Sequence, residues 1–273
     1  MRKPWALVVA VVVTTLALSA TAGAQTPQKP YEPVVGQAGK DAVWVPTSAA
    51  MVEKMLDHAK VTPQDFVMDL GSGDGRNIIA AAKRGATATG VEFNPDMVEL
   101  SRKQAAAAGV ADRATFIQGD MYEADISKAS VLALFLLPHN LNKLVPKFLA
   151  LKPGSRIVGN TFAPEGWAAD ESETIGGECS SWCTALLWIV PAKAEGTWKL
   201  ASGELTLKQE FQMVSGTLTS GGNTTPVSGR LRGDLITLTG GGTEYAGRVT
   251  GDTIEGSAKT GGTSSAFSAS RVR

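Results

Sequence analysis

The chain has 273 residues, which allows one large domain with a smaller one, or a single α/β unit with extensions. Its 26 lysine and arginine residues balance 26 aspartate and glutamate residues, so the formal net charge is zero. This balance gives no electrostatic basis for a nucleic-acid partner and favours a protein or a small molecule as the substrate.

The first residues have the pattern of a cleaved secretory signal peptide. Arg2 and Lys3 precede an apolar run from 5 to 18, and Ala22-Gly23-Ala24 then supplies a small-x-small cleavage site. A membrane anchor is the alternative, but the run is shorter than the roughly 20 residues that cross a bilayer. We predict a signal peptide over residues 1–24, a periplasmic or secreted protein, and no stable membrane span after cleavage.

A linker and a helix are predicted next. Residues 25–40 are rich in proline, glycine and glutamine without a periodic apolar pattern, which is typical of a flexible linker. From 48 to 59, apolar residues recur at helical spacing. This pattern predicts an amphipathic helix with Thr47 or Ser48 as its N-cap, covering one edge of a sheet.

The octet Asp69-Leu70-Gly71-Ser72-Gly73-Asp74-Gly75-Arg76 lies between a short apolar run and a helix-like stretch. Its alternating glycines let a strand turn sharply into a helix while the backbone approaches a ligand closely. A dinucleotide fingerprint needs G-x-G-x-x-G, but Arg76 stands where that third glycine would be, and we expect it to pair with a nearby acid. Because Asp69 and Asp74 would repel a pyrophosphate, the loop favours a cationic, amino-acid-bearing nucleoside.

Two further acids follow predicted strands. The second strand, 87–91, ends in Glu92, whose carboxylate can accept hydrogen bonds from both hydroxyls of a ribose. The third strand ends in Gly119-Asp120-Met121, where the acid can accept from an adenine amino group. Met121 or Phe93 would then pack on the face of the adenine ring.

With the glycine loop and these acids in order, the sequence resembles class I S-adenosylmethionine (SAM)-dependent methyltransferases. The resemblance implies that SAM is the cofactor and that the glycine loop holds its methionine end. It also implies that Glu92 binds the ribose and that Asp120 and Met121 bind the adenine.

The elements that follow predict the fold class. A helix over 95–108 has Asn94 as its N-cap, and strands over 131–136 and 156–160 flank a helix over about 140–151. Continuous apolar strands between helices predict a parallel, Rossmann-like α/β sheet with helices on both faces. The ligand of such a sheet lies at the carboxyl ends of its strands, where the motif residues fall.

The composition changes in the last part of the chain. Residues 196–273 hold 15 of the 30 glycines and show no helical period. The segment 229–236 recurs 18 residues later as 247–254, and each copy reads as strand, Gly-Asp turn, strand. We therefore predict a methyltransferase domain over 41–195 and a small all-β domain over 196–273, an antiparallel meander or barrel.

A narrower resemblance covers residues 42 to about 192. The chain looks like a family of protein-lysine methyltransferases that includes archaeal broad-specificity enzymes and mitochondrial relatives acting on inner-membrane proteins. The segments that carry this resemblance are Trp44-Val45-Pro46-Thr47, which looks like the family's Tyr-Val-Pro-Thr, together with Val61-Thr62-Pro63, Ala124-Asp125-Ile126-Ser127-Lys128-Ala129, Phe135-Leu136-Leu137 and Leu151-Lys152-Pro153-Gly154-Ser155-Arg156-Ile157-Val158.

The match implies an ε-amino acceptor and places Pro46 and Thr47 in the wall of the cofactor pocket. Where the family has Ser-His-Glu-Phe after the fifth strand, this chain has Gly159-Asn160-Thr161-Phe162, which reduces the acidic character near the acceptor. The candidate cofactor-binding residues are Pro46, Thr47, Asp69, Gly71, Ser72, Gly73, Asp74, Gly75, Glu92, Phe93, Asn94, Asp120 and Met121.

Few residues are candidates for other chemistry. Methyl transfer is an in-line attack, so the enzyme mainly aligns its reactants and excludes water, although an acceptor amine must first lose its proton. His139 is a candidate for assisting that loss, the alternative being an exposed or capping loop histidine. Cys179 and Cys183 either form a disulfide or remain two half-buried thiols, and neither has the companions of a zinc site, so no metal is predicted.

The sequence therefore predicts a SAM-dependent methyltransferase that acts on a nucleophilic acceptor, in first place a protein lysine ε-amine. The alternatives are a small-molecule methyltransferase and an exported binding or scaffold protein that retains a methyltransferase fold. A nicotinamide-dependent oxidoreductase is disfavoured by Arg76. The predicted partners are a protein or small-molecule acceptor and no nucleic acid, and the pattern gives no oligomeric state. Export would separate the chain from the cytosol, where SAM is made.

Overall fold

The computed structural model describes residues 1, 31–177 and 179–272. The predicted signal peptide beyond residue 1 and the first part of the predicted linker lie outside the described residues. Within the described part of the chain, no helix combines the length and the hydropathy needed to cross a membrane.

The first part of the described chain forms a seven-stranded sheet. Its strands are β1 (Phe66–Leu70), β2 (Thr87–Glu92), β3 (Ala114–Gln118), β4 (Val131–Leu134), β5 (Arg156–Asn160), β6 (Glu171–Thr174) and β7 (Thr184–Ile189). They lie in the order β3-β2-β1-β4-β5-β7-β6. The first five strands pair in parallel, whereas β7 is antiparallel to both β5 and β6.

The antiparallel edge of the sheet is a difference from the wholly parallel sheet that the sequence predicts. The sequence Glu171-Ser172-Glu173-Thr174 of β6 is polar and mostly exposed, so this edge strand carries no apolar pattern to reveal it. Strand β4 also ends at Leu134, two residues earlier than the predicted 136.

Four helices in the described part of the chain cover the sheet. They are α1 (Ala49–His58), α2 (Arg76–Lys83), α3 (Pro95–Ala107) and α4 (Pro138–Phe148). The side chain of Ser48 caps α1 by accepting from the Met51 amide, and that of Asn94 caps α3 by accepting from the Asp96 amide. Helix α4 begins two residues before the predicted start because Pro138 supplies a favourable first helical position.

Alternate residues of the central strands face opposite helices. Val131 and Ala133 of β4 pack in one buried cluster with α1, α2 and α3, while Leu132 and Leu134 pack in another with α4. Both faces of the sheet are therefore covered, and the predicted Rossmann-like fold class is confirmed.

The last part of the described chain is a closed antiparallel barrel. Its strands are β8 (Gly196–Leu200), β9 (Gly203–Glu210), β10 (Met213–Ser220), β11 (Asn223–Arg232), β12 (Leu235–Gly240), β13 (Thr243–Thr250), β14 (Thr253–Thr260) and β15 (Thr263–Arg271). Strand β15 pairs with β8 and closes the barrel around the fully buried Trp198. The repeat predicted from the sequence forms two hairpins, whose tight turns lie at Gly233-Asp234 and Gly251-Asp252.

The barrel packs at the β7–β6 edge of the sheet. The Phe211 ring stacks on the buried Trp167, with ring centroids 5.2 Å apart. The side chain of Asp170 is fully buried, and its carboxylate accepts a hydrogen bond from the guanidinium of Arg230 at 2.5 Å. The glycine loop after β1 lies near the middle of the sheet, between β2 and β4.

Candidate active site

A short hairpin precedes α1 and lies over the carboxyl ends of the strands. The Gly36 amide donates to the Trp44 carbonyl at 2.8 Å, and the Trp44 amide donates to the Gln37 carbonyl at 2.9 Å. This hairpin, residues 36–44, contains the end of the segment that the sequence predicts to be a flexible linker. Backbone hydrogen bonds rather than an apolar period join residues 36–40 to the rest of the hairpin.

The hairpin contacts the predicted cofactor residues through two side chains that the sequence analysis missed. The Lys40 ammonium bonds the Asp120 carboxylate and lies 5.2 Å from the centroid of the Phe93 ring. The Trp44 indole packs directly on the glycine loop, since a Cβ atom at Gly73 would lie 2.7 Å from its Nε1. The sequence showed Trp44 only as part of a family motif and gave no signal for Lys40.

The glycine loop turns as its sequence predicts. Gly71, Gly73 and Gly75 all have positive φ angles, of 74°, 54° and 81°. The Gly71 amide donates to the Val91 carbonyl at 2.8 Å, and the fully buried Ser101 hydroxyl donates to the Gly73 carbonyl at 2.9 Å. These bonds hold the loop against β2 and α3 with its backbone close to the carboxyl end of the sheet.

Replacing Gly75 by alanine is expected to destabilise the fold by about 2–5 kcal/mol. The new Cβ would meet the Phe116 ring at 2.6 Å while the backbone stays in the left-handed region. Urea unfolding of the full chain measures the change in the free energy of unfolding. Gly109→Ala is the matched control, because Gly109 has a φ of 70° with nothing within 4 Å of its Cβ position. Equal losses in the two variants would contradict the packing argument.

Glu92 joins the loop to the helix that follows β2. One carboxylate oxygen accepts from the Gly73 amide at 2.9 Å and the other from the Asn94 amide at 2.9 Å. Each oxygen keeps a lone pair for a further donor. The carboxylate is thereby oriented at the carboxyl end of β2, the position from which the predicted ribose contacts would be made.

Of the four acids predicted from the sequence to lie at the site, two have cationic partners. Arg76 donates from Nε to the Asp74 carboxylate at 2.9 Å, which confirms the expected pairing of Arg76 with a nearby acid. The hydrogen bond from Lys40 lowers the pKa of the Asp120 carboxyl below its usual range. Asp69 and Glu92 remain without a cationic partner among the described ion pairs, so the site favours a cation.

Asp69 is the most perturbed of these acids. Burial raises the pKa of its carboxyl well above the usual range, the nearby charges of Glu92 and Asp74 act in the same direction, and a hydrogen bond from Asn77 opposes them. The Asn77 amide nitrogen lies 3.0 Å from the Asp69 carboxylate. A cationic ligand beside Asp69 would favour its ionised form.

The predicted residues line two adjoining clefts that share Trp44, Val45, Gly71 and Phe135. The larger cleft is lined by Gly71, Glu92, Phe93, Asn94, Asp120 and Met121 among others. The smaller cleft is lined by Pro46, Thr47, Asp69, Gly71, Ser72, Gly73 and Asp74 among others. Only Gly75 among the predicted cofactor residues lines neither cleft, because it caps α2. His139 is exposed in the first turn of α4 and also lines neither cleft.

The residues of the two clefts suit a nucleoside with a cationic amino-acid tail. The larger cleft offers the Phe93 ring and the Asp120 carboxylate for a base. Ser72 and Asp69 line the smaller cleft, and the Ser72 hydroxyl is buried against Gly90 of β2.

Comparison with known proteins agrees with this geometry. The model of the ANTKMT methyltransferase domain matches residues 69–171. A protein-lysine N-methyltransferase of Saccharolobus islandicus is 42% identical over 131 residues, a match that covers 47% of this chain and 81% of the relative. The chain belongs to the protein-lysine N-methyltransferase family.

Two further relatives extend the comparison of this methyltransferase. An adenine nucleotide translocase lysine N-methyltransferase of Mus musculus is 35% identical over 126 residues, covering 45% of this chain and only 55% of the mouse protein. A crystal structure of an RNA methyltransferase from Salinibacter ruber with S-adenosyl-L-homocysteine is 43% identical, with a TM-score of 0.51. That match covers 55% of this chain and 95% of the Salinibacter protein.

The enzyme is therefore a SAM-dependent methyltransferase, as the sequence predicted. The cofactor supplies a methyl group on a sulfonium sulfur. Carboxylates, an aromatic ring and a glycine-rich backbone are the groups that would hold it at this site. The assignment of individual residues to parts of the cofactor remains a prediction.

Proposed function

We propose that the enzyme transfers the methyl group of SAM to the ε-amine of a lysine side chain in a protein. The observation that carries this proposal is the 42% identity over 131 residues to a protein-lysine N-methyltransferase. The family model also matches residues 69–171, which contain the glycine loop, Glu92 and Asp120. The mouse lysine N-methyltransferase, whose name gives a protein as its substrate, supports the same acceptor class. The balanced charge of the chain favours a protein substrate over an RNA substrate.

The chain's residues would contribute alignment and exclusion of water. Asp69 would hold the amino-acid part of the cofactor, and Glu92 would hold its ribose. The methyl group of the cofactor would then face the region of Phe135. Trp44 and Phe135 would cover the reacting centre with apolar surface. The acceptor nitrogen must arrive neutral, because its lone pair attacks the methyl carbon as the carbon–sulfur bond breaks.

Labelling experiments test the acceptor class. The purified chain is incubated with methyl-labelled SAM and, in separate reactions, with histones as a lysine-rich mixture, with the same histones after lysine acetylation, with total RNA, and with a small-metabolite extract. We expect label in the untreated histones and its loss after acetylation. Label in RNA or in metabolites alone would reject the lysine assignment, and no label in any reaction would favour the scaffold alternative.

We further propose that the enzyme is exported after cleavage at Ala24. The pattern of residues 1–24 and the disulfide between Cys179 and Cys183 support this proposal, since disulfides persist in oxidising compartments. Cell fractionation followed by mass analysis should recover a chain that begins at Gln25 outside the cytosol. Recovery of the full-length chain in the cytosol with both cysteines reduced would contradict export.

A further inference from the structure

A row of aromatic rings leads from the clefts to the protein surface. Phe135 follows β4 and lines both clefts. Its ring stacks on that of Phe162, with centroids 6.0 Å apart and planes 8° apart. The Trp182 indole meets the same ring at 5.7 Å, with the planes at 60°. The row therefore begins beside the glycine loop and ends at Trp182.

Trp182 differs from the tryptophans that build the core. Trp167, Trp188 and Trp198 are 0–2% exposed, whereas Trp182 is 42% exposed. Trp182 thus presents an open indole surface at the outer end of the aromatic row.

The backbone around Trp182 is constrained at several points. The Cys179–Cys183 disulfide closes a small ring that contains it, and the Ile175 amide donates to the Cys183 carbonyl at 2.8 Å. Trp182 itself has a φ of 56°, in the left-handed region that a bulky residue rarely adopts. Such conformations persist where the surrounding structure enforces them, and they cluster at ligand sites.

The other end of the same loop is fixed to the segment that follows β5 and carries Phe162. Thr161 also has a left-handed backbone, with a φ of 63°. Its amide donates to the Thr184 carbonyl at 2.7 Å, and its hydroxyl accepts from the Thr184 amide at 3.3 Å. The loop and the segment after β5 therefore hold Phe162 and Trp182 against Phe135 from two sides.

We propose that Trp182 is the outer wall of the channel through which the acceptor lysine reaches the methyl group, and that the disulfide loop holds it there. The inference rests on the proposed function, because it assigns a specificity-determining residue to a lysine acceptor. The four-carbon stem of lysine packs on aromatic faces, and its ammonium is attracted to an indole before deprotonation. The segment Gly159-Asn160-Thr161-Phe162 carries no acid, so it offers the acceptor an aromatic ring and no carboxylate.

The first test is steady-state methylation of histones by Trp182→Ala and Trp182→Phe variants of the full chain. We expect the KM for histones to rise about tenfold or more in the alanine variant and less in the phenylalanine variant. The Kd for SAM, measured by calorimetry, should stay unchanged in both. Leu235→Ala is the matched control, since Leu235 is 47% exposed on the barrel and should leave both constants unchanged.

The second test releases the loop without removing the indole. In the double variant Cys179→Ser, Cys183→Ser, the KM for histones should rise, by less than in Trp182→Ala, with the Kd for SAM again unchanged. A KM for Trp182→Ala equal to that of the wild type would overturn the inference and leave the proposed function intact. Loss of SAM binding in Trp182→Ala would also overturn it, by showing a structural role. Failure of the wild type to label histones would overturn the proposed function and this inference together.

Discussion

Replacing Glu92 by alanine is expected to weaken SAM binding at least about 100-fold. Hydrogen bonds to a charged group contribute about 1.5–3 kcal/mol each, and the variant would lose two such bonds to the ribose. It would also release the Gly73 and Asn94 amides, each of which donates to this carboxylate at 2.9 Å. The loop and the start of α3 would therefore lose their common acceptor. Calorimetric titration with SAM measures the effect.

Two variants complete that experiment. Glu92→Gln keeps one oxygen acceptor and should lose less affinity than the alanine variant. Glu99→Ala removes an exposed acid on α3 that pairs with Lys103 and lines neither cleft, so it should bind SAM like the wild type. An alanine variant at 92 with wild-type affinity would show that the ribose is held elsewhere.

SAM binding is expected to strengthen as the pH rises, with release of a proton. Burial raises the pKa of Asp69 above its value in the unfolded chain, so the free enzyme keeps this carboxyl protonated over a window above pH 3.8. A cationic ligand favours the ionised form, and affinity should rise up to about tenfold per pH unit within that window. Calorimetry in buffers of different ionisation enthalpy counts the released protons.

The same pKa shift has the opposite effect on folding. The unfolded chain ionises Asp69 at its ordinary pKa, whereas the native chain keeps the proton to a higher pH. The contribution of Asp69 to the free energy of unfolding is therefore greatest below its ordinary pKa. This contribution declines as the pH rises toward the raised pKa of the native chain. Asp69→Asn should abolish the pH dependence that Asp69 gives to SAM binding and to native stability. This variant should also bind SAM about 10- to 150-fold more weakly. A variant that retained the wild-type pH profile of binding would exclude Asp69 as its source.

The central sheet could be predicted because its signals are local. The glycines of 71–75 are required by positive φ angles, and the apolar strands β1 to β5 alternate with helices that have recognisable caps. Glu92 and Asp120 follow strands, and parallel strands bring such ends together. Their common location at the two clefts therefore followed from topology.

The parts that could not be predicted depend on contacts distant in sequence. Lys40 reaches Asp120 across 80 residues, and Trp44 lies on Gly73 without any local pattern that would indicate it. Strand β6 is a polar edge strand that pairs with β7 through its backbone and through the hydroxyls of Thr174 and Thr184. The pairing of Cys179 with Cys183 was left open because spacing alone does not decide whether the chain turns back at that point.

The sequence did not predict that the barrel closes, although it did predict the hairpins of the barrel. The repeated Gly-Asp turns predict adjacent antiparallel strands. Whether the first and last strands meet depends on the pairing of β15 with β8, which lie far apart in the chain. The sequence therefore predicted the hairpins and left a meander and a barrel as alternatives.

The most direct test of lysine methylation is amino-acid analysis of protein labelled by the enzyme with methyl-labelled SAM. The labelled histones are hydrolysed completely, and the amino acids are separated by chromatography against standards. We expect the label to elute as Nε-methylated lysine and the Glu92→Ala variant to leave this fraction empty. Label in any other amino acid, or none in the methylated lysines, would contradict a protein-lysine methyltransferase.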